Sequence, residues 1–150
     1  MSADLLTRFY EAFARRDAEG MIACYHPDAA FSDPVFPLLN QAETAAMWRM
    51  LLGRARDFSM EFQVVGEDRV DWTARYTFAA TGRPVVNRVT SQFGFQDGLI
   101  LAQRDGFDFP LWLKQALGWK GALFGRTRLL QAAVRKQART SLEALRAKRV

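Results

Sequence analysis

The chain has 150 residues, 49% hydrophobic and 25% charged, which suits one core of ordinary size and a single globular class. Its one cysteine, Cys24, excludes an intramolecular disulfide. No apolar run approaches the ~20 residues of a membrane span, and Met1-Ser2-Ala3-Asp4 lacks the basic start of a secretory signal, so the chain reads as cytoplasmic. The net charge of +5 is unevenly placed: residues 1–109 carry 11 basic against 15 acidic side chains, whereas residues 110–150 carry 10 basic against Glu143 alone.

From Asp4 to Arg16, Leu5, Leu6, Phe9, Ala12 and Phe13 recur every three to four positions, which predicts an amphipathic helix. Asp17 is placed to cap a second, shorter helix through Met21, Ile22 and Tyr25, ended by His26-Pro27. A short strand, Ala29 to Asp33, follows. Asp33 admits two readings. It opens an Asp-Pro turn with Pro34. Alternatively its side chain points among Phe31, Val35 and Phe36, where desolvation raises its pKa and suits it to take a proton from a carbon acid near neutral pH. Gln41 to Arg56 returns to helical spacing, with Ala45, Trp48, Leu51, Leu52 and Ala55 on one face.

Beyond Asp57 the period changes to two. Phe58, Met60, Phe62 and Val64 form one strand, and Val70, Trp72, Ala74, Tyr76 and Phe78 form its hairpin partner. After the Thr81-Gly82-Arg83-Pro84 turn, Val85, Asn87, Val89, Ser91, Phe93 and Phe95 line one face of a long strand. Gln96-Asp97-Gly98 reverses the chain into a last strand, Leu99 to Phe107, with Leu101, Gln103, Asp105 and Phe107 on one side. Asp108, Pro110 and Gly118 then mark the cap, first turn and stop of a short helix over Leu111–Leu117. An apolar patch of Trp119, Leu123 and Phe124 is broken by glycines, and a long basic helix is expected over Thr127–Ala147, striped by Leu130, Val134, Ala138, Leu142 and Leu145.

Helices first and meandering strands after predict an α+β fold, with helices packed on one face of a curved antiparallel sheet and a helical C-terminal extension. With one histidine, no Ser-His-Asp triad or histidine metal cluster can be assembled, and no metal or cofactor is expected. The 13% aromatic content implies either a heavily aromatic core or a cavity lined by rings; in the second case Tyr10, Tyr76, Asn87, Ser91 and Gln103 are the few polar groups that would face it beside rings such as Phe9, Phe93 and Phe107, and these eight are the candidate ligand contacts. His26 is expected to be exposed or at a helix C-terminus, and Trp48 and Trp72 to be core.

The order of these phrases (Phe9-Tyr10, Tyr25-His26-Pro27-Asp28-Ala29, Asp33-Pro34, Phe95 to Ile100 and Arg104 to Asp108) resembles the SnoaL-like branch of the nuclear transport factor two-like superfamily, over about residues 4–109. The resemblance implies a cone formed by a curved sheet wrapped on helices, an apolar pocket at its open end, a small hydrophobic ligand and a homodimer. Ketosteroid isomerase, in the same superfamily, uses an aspartate base facing a tyrosine and a protonated aspartate. Asp33 falls at that base by resemblance, but the two donor positions fall on Phe9 and Ser91, which argues against steroid isomerisation. Limonene epoxide hydrolase holds a water between two aspartates bridged by an arginine. Its last-strand phrase is matched by Arg104 to Asp108, placing Asp105 at one aspartate, while Arg88-Val89-Thr90 lacks the other.

Asp33 and Asp105 are therefore the candidate catalytic pair, and an isomerase, a cyclase and a hydrolase are all compatible. A non-catalytic binding or assembly module is the alternative. Residues 1–109 are read as the cone, and residues 110–150 as an extension packed on the same domain or on a partner. Contact of that basic tail with a membrane surface is the less favoured reading. Nucleic acid is not expected, because the basic residues belong to no recognisable binding module.

Overall fold

The computed structural model describes residues 2–55 and 57–148. Met1, and Arg56 at the expected end of the third helix, lie outside the described residues. Helix α1 (Ser2–Ala14) buries Leu5, Leu6, Phe9, Tyr10, Ala12 and Phe13, the stripe its spacing predicts. Asp17 caps α2 (Ala18–Ile22) by accepting from the Gly20 amide. Helix α3 (Gln41–Arg54) starts on a reciprocal cap in which Asn40 and Glu43 each accept the other's amide.

Five strands follow the sheet order β1-β5-β4-β3-β2: β1 (Tyr25–Ser32), β2 (Ser59–Val65), β3 (Arg69–Phe78), β4 (Arg83–Gln96) and β5 (Leu99–Gly106). The β2-β3-β4-β5 meander is antiparallel as expected. The sheet as a whole is mixed, because β1 runs parallel to β5. Tight turns force neighbours to run antiparallel, whereas β1 leaves through α3 and is free to take the other direction beside the last strand.

Two further corrections concern side-chain direction. Strand β1 begins at Tyr25, not Ala29, so His26 and Pro27 lie in a strand instead of ending a helix. Pro27 is tolerated there because β1 is an edge. His26 is mostly buried, its Nδ1 accepting from the Asp28 amide while Nε2 lies 3.3 Å from Asp97. In β5 a bulge at Leu101 separates the pairs Phe95–Ile100 and Gly94–Ala102. One extra residue reverses the alternation, so Ile100 is fully buried and Leu101 only half-buried. The Asp97-Gly98 turn needs two positive φ values, and has them at 55° and 73°.

The C-terminal segment is three helices, α4 (Phe109–Leu117), α5 (Trp119–Phe124) and α6 (Arg128–Lys148), broken at Gly118 and over residues 125–127. Asp108 caps α4 at the Leu111 amide. The apolar stripe of α6 lies on the protein itself, with Leu142 fully buried in the main core and Ala138 and Leu145 packed against it. Arg139 and Arg146 both reach Glu43 of α3, and Arg135 Nε donates to the Pro34 carbonyl at 2.8 Å. A second apolar cluster forms where α4 meets the sheet: Val85, Phe109, Trp112, Leu113 and Ala116, with Val35, Tyr76 and Phe107 shared between the two clusters.

Because Leu142 is the fully buried side chain of α6, Leu142→Ala is expected to destabilise the protein by roughly 2–5 kcal/mol in urea unfolding. A change below about 0.5 kcal/mol, the usual bound for an exposed site, would show that α6 is not docked in solution.

Candidate active site

Strand β5 delivers Asp105 to the interior beside Ser91 of β4, its direct cross-strand partner. Asp105 is 5% exposed, and its Oδ1 accepts from Ser91 Oγ at 2.6 Å and Gln103 Nε2 at 3.0 Å. Two arms of donors lie behind these bonds. In one, Tyr10 OH at 2.9 Å and Trp72 Nε1 at 2.8 Å both donate to Ser91 Oγ. In the other, Trp48 Nε1 donates to Tyr25 OH at 3.0 Å, and Tyr25 OH donates to Gln103 Oε1.

Every proton in the network points toward one carboxylate oxygen. A buried hydroxyl or indole N–H costs free energy unless it is paired, and here each is paired in the direction that favours an ionised Asp105. Burial pushes the Tyr10 and Tyr25 phenols well above their ordinary values, so both remain donors. Desolvation still dominates at the carboxylate itself. It raises the pKa of Asp105 to about 7 against the pull of Ser91 and Gln103, with the nearby charge of Asp33 adding to the rise.

Asp33, immediately after β1, makes the turn of one reading and has the upward shift of the other. Its Oδ1 accepts from the Val35 and Phe36 amides at 2.7 and 2.6 Å, the turn expected of Asp-Pro. Burial nevertheless raises it to about 6, with those two amides opposing. Asp33 also raises the pKa of Tyr76, after burial as the larger cause, and Tyr76 OH accepts from Trp112 Nε1 of α4 at 2.8 Å. Among the described residues neither Asp33 nor Asp105 has a cation as ion-pair partner. Arg75 of β3 is paired with Glu61 of β2.

Of the other candidates, Tyr10, Ser91 and Gln103 join this network, Phe9 and Phe93 pack edge-on beside it, and Tyr76 and Phe107 stand at the α4 end. Asn87 is half-buried on β4 opposite Ala74, away from the network. Phe9, Tyr10 and Ser91 have no exposed surface. Two surface clefts, of about 300 and 500 Å³, lie between α1 and α2 and on the outer face of β2-β3-β4, and neither is lined by Asp33 or Asp105.

Three members of the network were not singled out from sequence. Trp48 and Trp72 read as core, which they are, but an indole placed in a core needs an acceptor, and that requirement was the available signal. Tyr25 was hidden by its assignment to a helix end.

Raised carboxyl pKa values have a definite sign in stability. An unfolded aspartate titrates near 3.8, so between that value and about 6 or 7 only the folded chain holds these protons. The stabilisation is complete in acid and is lost as pH rises through 6 and 7, on the order of 1.4 kcal/mol for each tenfold difference in proton affinity between folded and unfolded chain. The urea midpoint should therefore fall between about pH 5 and about pH 8, and Asp105→Asn should flatten that fall. A midpoint that rises over the same interval would contradict the raised values.

Comparison with known proteins bears on the fold. The family model described as SnoaL-like domain matches residues 6–103. A comparison with curated proteins finds no match. Among solved structures, the chain is similar to a proposed polyketide cyclase from Silicibacter sp. TM1040 (22% identity, 76% of this chain and 93% of that one, TM-score 0.64). It is also similar to an NTF2-like protein of unknown function from Burkholderia pseudomallei K96243 (24%, 77% and 96%, 0.65). An LEH-like epoxide hydrolase from M. tuberculosis is a third (21%, 82% and 92%, 0.62). At these identities the likeness is one of fold.

Proposed function

The chain belongs to the SnoaL-like domain family, and on that premise we propose that it is a small-molecule protein whose Asp33 and Asp105 move protons on an apolar ligand. The observation that carries this reading is a carboxylate buried among rings and held only by Ser91 and Gln103, with Asp33 near enough to shift it and no ion-pair partner for either acid among the described residues. At neutral pH such a pair divides its roles. Asp33, the stronger acid, is largely ionised and serves as base, while Asp105 retains much of its proton and serves as acid.

Taking a proton from one atom and supplying one to another is the common step of an isomerase, a cyclase and an epoxide-opening hydrolase. The polyketide cyclase and epoxide hydrolase names of two similar structures fall within that range. Residues 1–109 would hold the ligand, and residues 110–150 would cover it through Trp112 on Tyr76 and Arg135 on Pro34. Phe9, Tyr10 and Ser91 are sealed among the rings of the main core, so ligand entry requires that core to open.

That same sealing favours a second reading, a binding or assembly module without turnover. Proton exchange separates the two. With a cyclic β,γ-enone and an apolar epoxide as probes in D₂O, followed by NMR, deuterium incorporation or ring opening should be fastest between the two carboxyl pKa values. Asp33→Asn should slow it by about 10²–10⁴-fold. Binding of either probe with no exchange, and with equal affinity in Asp33→Asn, would establish the second reading instead.

A further inference from the structure

Helix α5 is built inside out. Gly121 and Gly125, one turn apart, form its buried face, and a Cβ on Gly121 would run into the Leu113 carbonyl of α4. Two positions away from Gly121, about 200° around the helix, stand Trp119 and Leu123. They are 66% and 68% exposed, Phe124 at the end of α5 is 48% exposed, and Leu129 in the first turn of α6 is 84% exposed. Small residues thus press backbone against backbone while the large apolar ones are turned to solvent, the reverse of a helix that serves its own core. Lys114, Lys120, Arg126 and Arg128 are exposed in the same stretch, and no acidic residue occurs between Asp108 and Glu143.

We propose that α5 and the turn into α6 dock on an anionic lipid bilayer, with Trp119, Leu123, Phe124 and Leu129 entering the headgroup boundary and the four cations facing the lipid phosphates. The two halves of the surface are what interfacial binding requires: apolar side chains that insert, and basic residues that remain with the anionic headgroups. A second copy of this chain is a poorer occupant, because a twofold contact would set the same cations against each other. The proposal is independent of proton transfer at Asp33 and Asp105. No helix among the described residues is long and apolar enough to cross a membrane, so the contact is peripheral.

Trp119 is its own reporter, since Trp48, Trp72 and Trp112 are all buried. The full chain should float with vesicles of phosphatidylglycerol and phosphatidylcholine but not with phosphatidylcholine alone, with a blue shift of tryptophan emission and quenching by brominated lipid. Leu123→Ser with Phe124→Ser should abolish the quenching without changing the circular dichroism spectrum. Lys120→Glu with Arg126→Glu should weaken flotation by at least roughly tenfold. The proposal is overturned if the protein stays unbound to anionic vesicles, if it binds neutral vesicles equally, or if the apolar variant binds like the parent. A dimer in sedimentation equilibrium that the apolar variant dissociates would assign the face to a second copy and overturn it equally.

Discussion

The constraint around which this molecule is arranged is the burial of one carboxylate without a cation. Asp105 stands in a core of tryptophan, tyrosine and phenylalanine rings, where an isolated charge is costly. The chain meets that cost with oriented dipoles: Ser91 and Gln103 at first hand, and Tyr10, Trp72, Tyr25 and Trp48 behind them. These residues come from α1, β1, α3, β3, β4 and β5, so the hydrogen-bond network also fixes how the helices sit on the sheet. The donors leave Asp105 poised close to neutrality, neither fully stabilised as an anion nor reliably protonated.

Much of this was legible in the sequence because the relevant signals were local. The 3.6-residue spacing of Leu5, Leu6, Phe9 and Phe13 and the strict alternation from Val70 to Phe78 gave α1 and β3 their buried faces directly. Asp33 stood out as an acid in apolar company at a strand end, and Asp105 through the resemblance of the Arg104 to Asp108 phrase to a last strand of the family. The remainder depended on distant pairing. The direction of β1 is set by β5, some 75 residues later, and the bulge at Leu101 is a property of the β4-β5 pair that alternation in β5 alone could not reveal. Tyr25 belonged to the network only once β1 began four residues earlier than expected.

The C-terminal segment shows two uses of basic amphipathic sequence in one stretch. Along α6 the arginines turn back onto the protein, to Glu43, Pro34 and the face of the Phe109 ring, and the leucine stripe enters the core. In α5 the glycines take the buried face and the large apolar residues are left outside. Composition alone does not separate these cases. The position of the glycines does, because only they permit the close backbone approach that turns the helix around.

The central claim, a carboxylate held near neutrality by burial against an oriented donor network, is tested most directly by titrating the aspartate side-chain carboxyls by ¹³C NMR, with Asp105→Asn to assign the resonance. The expected result is that Asp105 titrates near 7 and moves downward in Asp33→Asn, as a nearby negative charge is removed. A midpoint close to 4, unmoved by that substitution, would contradict it.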